Sequence, residues 1–267
     1  MKIFWAITKT IFKRTLYYRT GLALSIAIHP LVMIMWIAVF STLFTFTHSK
    51  TLAGYDLAQM IWYTAGSFVI WTLIYNETSW SMAYKIISGD LVQDLLKPVS
   101  VFKYELASSV GMRLMALCLE TIPDMIILPF FFAPVFMTAG SVLRFIPVVV
   151  GAFLLFYHLN FLIGLLAFVM KSTNFIIPIR MIIIATLGGG RLPLEFFPPV
   201  VVTINSFLPF QYIFYYPLRV FINMPGTQTW PEFLSILGAQ AAWILGLHAL
   251  CRLLWTGAYR KFCAVGG

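Results

Sequence analysis

The fold class this sequence predicts is an all-α integral membrane protein. It has six transmembrane helices, an amphipathic interfacial helix at the N-terminus, and re-entrant short helices between spans five and six. Three observations predict it. The first is composition: of 267 residues, 61% are hydrophobic and only 10% charged, against about 25% charged in a soluble domain. The second is the spacing of the charges. No Lys, Arg, Asp or Glu lies between Arg19 and Lys50, Asp56 and Glu77, Asp124 and Arg144, Arg144 and Lys171, Glu195 and Arg219, or Glu232 and Arg252. Roughly 20 apolar residues of helix cross a hydrocarbon core of about 30 Å. The third is the placing of the basic residues at the edges of those runs. A net charge of +9 would suit nucleic acid if clustered; scattered in this way it suits orientation in a membrane, and no nucleic-acid partner is expected.

Residues 1–20 mix Lys2, Lys9, Lys13, Arg14 and Arg19 with Ile3, Phe4, Trp5, Ile7, Ile11, Phe12 and Leu16. That pattern reads as a helix lying in the membrane interface. A signal peptide is the other reading, but the apolar run that follows is too long and lacks a clear small-residue cleavage site. The six spans are placed at about 22–47, 59–83, 105–136, 145–170, 174–190 and 231–257. Pro123 and Pro129 interrupt the third and imply a kink. Residues 191–229 are apolar, but six prolines break them. A re-entrant pair of short helices suits this stretch, since irregular backbone is tolerated in a membrane where protein or water covers it. With a cytoplasmic N-terminus, fourteen of the 18 Lys and Arg residues fall on the cytoplasmic side. The other four are Lys50, Arg144, Arg191 and Arg219. The positive-inside rule then places both termini in the cytoplasm.

The cytoplasmic loop 85–98 contains a candidate lever. Asp90 can cap a short helix, with Gln93 three residues on completing a capping-box-like arrangement, and Pro98 stops it. Leu91 and Leu95 share one face; Asp90, Asp94 and Lys97 share another. A soluble partner pushing on such a helix would move both flanking spans. The plainer reading is a loop that turns the chain.

Three stretches carry a resemblance. They are Ser88-Gly89-Asp90-Leu91 through Leu95-Leu96-Lys97-Pro98, then Gly190-Arg191-Leu192-Pro193-Leu194-Glu195-Phe196-Phe197-Pro198, then Leu208-Pro209-Phe210-Gln211-Tyr212 through Tyr216-Pro217. In this order and at these places in the topology, they resemble ABC-2 type transporter permeases, the membrane-spanning subunits of bacterial ABC exporters. The resemblance extends over nearly the whole chain and implies one transmembrane domain over 1–267 in a bacterial inner membrane. It also implies a second permease copy, like or related, and a cytoplasmic ABC ATPase dimer that carries the ATP and Mg. The coupling helix would lie within 85–98, docked through Leu91 and Leu95 with Asp90, Asp94 and Lys97 at the rim. The chain has no G-x-x-x-x-G-K-[ST], and Gly188-Gly189-Gly190-Arg191 lacks the spacing, the Lys and the hydroxyl of a phosphate loop. No cofactor and no catalytic or metal site is therefore expected in this chain, and it is not expected to be an enzyme.

Charges inside the spans have two readings each. Glu77, Arg113, Glu120 and Asp124 are costly at mid-bilayer, roughly 2.5–3.5 kcal/mol each on insertion scales, so they should face protein or water. They could line a transport path or gate, or they could pair, Arg113 with Glu120 and Glu77 with Arg180. Phe210 and Tyr212, within the aromatic cluster 207–216, could meet an apolar substrate at the exit or form an interfacial belt, and Phe130-Phe131-Phe132 has the same two readings. His29, His158 and His248 have no second ligand at i+3 or i+4 and read as packed or hydrogen-bonded residues. Cys118 and Cys251 read as packing residues. Two other classes compete. A membrane enzyme would need an unrecognised site, because no G-x-S-x-G, H-E-x-x-H or H-x-x-x-x-D occurs. A channel or ATP-independent carrier would need no ATPase.

Overall fold

A computed structural model describes the protein except residues 1, 18, 131, 132, 135, 171, 172, 174 and 260–267; of 15, 19–27, 29, 30 and 259 it describes only the backbone. The readings made for Arg19, His29, Phe131, Phe132 and Lys171 therefore lie outside the described side chains. Every regular element among the described residues is helical. Three stretches, Leu57–Ser88, Ala139–Phe168 and Trp230–Ala258, are long and apolar enough to cross a membrane. Leu31–Thr47 and Ile176–Leu187 are shorter apolar helices.

Helix α1 (Lys2–Leu16) does not lie alone in an interface. It packs along α6 (Val101–Ala116) through Thr8 and Ile11, and the Thr8 hydroxyl donates to the Ala107 carbonyl at 3.2 Å. Gly111 permits the approach, since a Cβ there would sit 2.6 Å from the Thr8 carbonyl oxygen. Lys9, Lys13, Arg14 and Trp5 face outward. Overpacking typically costs about 1–3 kcal/mol. Gly111→Val is thus expected to lift α1 and to speed tryptic cleavage at Lys9 and Lys13; unchanged cleavage would contradict this packing.

The stretch expected as the first span folds as α2 (Arg19–Thr47). The second departs from the sequence expectation: it is two helices, α3 (Leu57–Ile74) and α4 (Thr78–Ser88), separated by Tyr75–Glu77. Asp56 starts α3 with a capping box to Gln59. The break has a local cause. Buried Asn76 turns its side chain on its own backbone, donating to the Ile74 carbonyl at 3.1 Å and accepting from the Thr78 N–H at 3.4 Å. Such bonds compete with the helical ladder.

The stretch expected as the third span begins its helix at Val101 and is also broken. After α6 comes a π-helical turn, Leu117–Thr121, then α7 (Ile122–Ile127) and a 3-10 turn, Leu128–Phe130. Pro123 has no N–H to donate back to Leu119. The chain widens locally, and the Ile122 N–H reaches the Leu117 carbonyl instead.

Helix α8 (Ala139–Leu165) is the centre of the molecule and packs against α3, α4, α11 (Tyr215–Phe221) and α12 (Trp230–Tyr259). Two glycines allow close crossings: a Cβ at Gly151 would meet Gln240, and one at Gly164 would meet Met82. The fifth apolar helix, α9 (Ile176–Leu187), has 12 residues, a rise of about 18 Å. It ends at Gly188, and Gly189 with φ +77° reverses the chain. The 191–229 region then forms short pieces: a 3-10 turn Leu194–Phe196, α10 (Pro199–Ser206), a 3-10 turn Phe210–Tyr212, and α11 (Tyr215–Phe221). The last element among the described residues is α12 (Trp230–Tyr259).

Two apolar cores result. The larger joins α3, α8, α11 and α12; the smaller gathers Met82, Leu91, Tyr157, Phe161 and Cys251 at the end of the bundle that carries Lys85. His158 and His248 meet between α8 and α12 at 3.2 Å. Cys251 is packed as expected, but Cys118 is exposed.

Candidate functional site

The elbow joining α4 to α6 carries a polar assembly of linked ion pairs. Gly89, with φ +85°, ends α4 in the left-handed conformation a glycine accepts without strain. Helix α5 (Leu91–Leu95) follows, and the Ser100 hydroxyl caps α6. Asp94 sits at the centre, only 4% exposed. It takes Lys85 of α4 at 2.6 Å and Lys97 at 2.5 Å. Lys85 also holds Glu105 of α6 at 2.5 Å, and Ser81 donates to the same carboxylate at 3.0 Å. The Tyr104 ring lies under both ammonium groups, 4.1 Å from Lys97 and 5.1 Å from Lys85. Burial pushes the Asp94 carboxyl up, but the hydrogen bonds and charges of Lys85 and Lys97 outweigh it and hold it below the usual carboxylate range. The bond to Asp94 in turn holds the Lys97 ammonium above its ordinary value.

This geometry corrects the reading of the loop. Asp90 forms no cap; its carboxylate takes the Ser88 hydroxyl at 2.8 Å and the Gln93 amide at 3.4 Å. Leu91 and Leu95 do not share an outer face. Leu91 is buried in the smaller core, because α5 is too short to override that burial. Asp94 is likewise not at a rim, because two lysines hold it inward; Lys97 remains there. The outward apolar surface is Val92, Leu95 and Leu96, the last 82% exposed. Glu105 and Tyr104 were not legible as members of the site. Their partners are Lys85 on α4 and Lys97 beyond the end of α5, and no helical spacing connects Glu105 to Lys85.

Arg113 and Arg180 gather at the break between α3 and α4. Among the described residues, Arg113 does not pair with Glu120, nor Glu77 with Arg180. Arg113 instead donates to the Thr72 carbonyl at 2.6 Å and lies over the Tyr75 ring. That carbonyl is in the last turn of α3, where helical acceptors lose their partners. Arg180 of α9, only 5% exposed, donates to the Ser79 hydroxyl at 2.8 Å, and Ser79 donates to Asn160 of α8 at 3.1 Å. Thr78 meets Ser109 of α6 at 3.2 Å. The break is therefore held from α6, α8 and α9 together. Glu77 is exposed beside it. Glu120 lies in the π turn and Asp124 in α7, both half-buried.

Arg113 also borders a groove of about 830 Å³ between α3, α6, α7 and α8. Its walls are apolar except for Arg113 and Thr121. A second cavity of about 360 Å³ lies between α2, α3 and α9, walled by Trp36, Phe68, Trp71 and Phe214, with Ser67 and Arg191 among its polar groups. Phe210 and Tyr212 do not line these spaces; both are half-buried against the larger core, and Tyr212 stacks on Tyr216. The segment holding them is tied elsewhere. Glu195 takes Arg219 at 2.8 Å and the Tyr215 hydroxyl at 2.7 Å, with Tyr55 3.3 Å away. The Tyr63 and Ser67 hydroxyls donate to the Gly189 and Gly190 carbonyls at 2.6 and 2.5 Å.

The model of the ABC-2 family transporter proteins matches residues 31–266. The chain belongs to that family. This ABC-2 permease is thus a multi-pass membrane protein and the membrane component of an ABC transporter. No curated protein matches the chain.

Proposed function

We propose that this ABC-2 permease is the export channel of a bacterial inner-membrane ABC transporter, working as a dimer of like or related chains in which each chain acts as a single transmembrane domain. It spans the membrane six times with both termini in the cytoplasm, and the short helices of 191–229 form the re-entrant outer segment. ATP and Mg are handled by a separate ATPase dimer, which docks on α5. The observation that carries this reading is the outward apolar tip, Val92, Leu95 and Leu96, mounted on an elbow whose inner side is fixed by Lys85, Asp94, Lys97 and Glu105.

The mechanism follows from this mounting. A push on the tip cannot be absorbed within the elbow, because ion pairs join α4, α5 and α6. It is passed along α4, 11 residues or about 16 Å long, to the break at Tyr75–Glu77. Three non-helical residues there can absorb a change of angle. Arg113 and Arg180 hold the two sides of the break to α6 and α9. Moving α4 then changes how α3 meets α9, and with it the cavity between α2, α3 and α9.

Two experiments test this reading. Purified permease is expected to show no ATP hydrolysis by itself, and a tagged permease is expected to bring down a soluble ATPase. Robust hydrolysis by the permease free of any second polypeptide would overturn the assignment. For the topology, cysteines placed at Ser49 and Gln228, both exposed, should react with an impermeant reagent in intact cells, and one at Ser100 should not. Labelling at Ser100 would overturn the orientation.

A further inference from the structure

We propose that the cavity between the start of α6 and the end of α12 holds the phosphate of an anionic phospholipid from the cytoplasmic leaflet. The cavity measures about 440 Å³, and its wall includes Phe102, Lys103, Phe161, His248, Arg252 and Trp255. Lys103 and Arg252 are exposed, and among the described residues neither is in an ion pair. His248 spends its Nδ1 on His158. The wall between the cations is aromatic: the Phe161 ring lies 5.0 Å from Phe102 and 6.0 Å from Trp255.

The surroundings decide the occupant. Arg252 emerges beside Leu250, Leu253 and Leu254, all exposed. Only 22% of the most apolar stretch of α12 is buried within the chain. A cation on such a surface cannot turn into hydrocarbon; it reaches for the head-group layer, and Trp255 marks that depth. Two cations over an aromatic, apolar-sided pocket match a phosphate with acyl chains running down α12. Basic pockets between spanning helices on the cytoplasmic side bind anionic head groups in this way. A soluble partner, by contrast, has the apolar tip of α5 to dock on. The site rests on the proposed topology, which puts this end of the bundle at the cytoplasmic leaflet.

The test uses the full-length permease in nanodiscs of phosphatidylcholine containing a minor fraction of phosphatidylglycerol, with retained lipid counted by native mass spectrometry. Phosphatidylglycerol is expected on the wild type at about tenfold over its share of the bilayer. Lys103→Gln with Arg252→Gln should abolish that enrichment, Lys103→Arg with Arg252→Lys should keep it, and Lys9→Gln with Lys13→Gln, an equal loss of charge on α1, should leave it in place. The proposal is overturned if the double Gln variant still enriches the lipid, or if the α1 variant loses it equally. It is also overturned if inorganic phosphate in pure phosphatidylcholine discs raises the melting temperature as much as phosphatidylglycerol does, or if the double Gln variant loses the ATPase while its lipid count stays unchanged. Cysteine labelling at Ser100 tells the two failures apart. Labelling from outside removes the topology; correct labelling without lipid enrichment removes only this site.

Discussion

Asp94→Asn is expected to uncouple ATP hydrolysis from transport while the permease still inserts and still binds its ATPase. Asp94 is the only group in the elbow that faces two cations at once, Lys85 at 2.6 Å and Lys97 at 2.5 Å. Breaking a fully buried pair costs roughly 3–5 kcal/mol. Glu105 still neutralises Lys85 and Lys97 is part-exposed, so a cost of about 2 kcal/mol is expected here. That loss falls at the joint between α5 and α4 and leaves the docking tip intact. Transport per ATP hydrolysed should drop severalfold. Lys97→Gln removes only the outer partner and should cost under about 1 kcal/mol. Equal effects of the two substitutions on transport per ATP would show that the elbow carries no force.

The second large effect is expected from Val92→Ser, Leu95→Ser and Leu96→Ser combined. Burying each apolar side chain contributes roughly 1.5–3 kcal/mol. Val92 and Leu95 are already part-buried, so losing all three removes about 3 kcal/mol of docking, or about two orders of magnitude in affinity. The ATPase should no longer co-elute with the permease on gel filtration, and the spans should remain folded. Leu91→Ser acts differently, because Leu91 is buried in the smaller core. It should lower the melting temperature of the permease itself. Co-elution of the triple variant at wild-type level would contradict docking through α5.

The charge-free runs made the three long apolar stretches legible, because a hydrocarbon core sets a length that composition must meet. The order of the three motifs likewise pointed to the family. What the sequence hid was set by distant partners. The pattern of α5 suggested a leucine face and an acidic face, but one turn of helix has no stripe strong enough to orient itself. Lys85 and the smaller core choose which side goes inward. The break at Tyr75–Glu77 lies within an apolar run; Asn76 opens it locally, and part of what holds it is Arg113 on another helix, 41 residues from the carbonyl it caps. Arg113 and Glu120 share a face by spacing, yet the nearer need of an orphaned carbonyl takes the guanidinium. The short pieces of 191–229 followed from their prolines. Their anchoring did not, since Glu195 finds Tyr55, Tyr215 and Arg219 from separate segments.

The central claim is that the tip of α5 touches a separate ATPase. A photo-crosslinking amino acid placed at Leu96 in growing cells tests it most directly, with the same group at Leu91 and at Gln228 as comparisons. Leu96 is expected to give an adduct with a soluble polypeptide that contains G-x-x-x-x-G-K-[ST], and Leu91, buried in its own core, and Gln228, at the opposite end, none. No adduct at Leu96, or the same adduct from Gln228, would contradict the account.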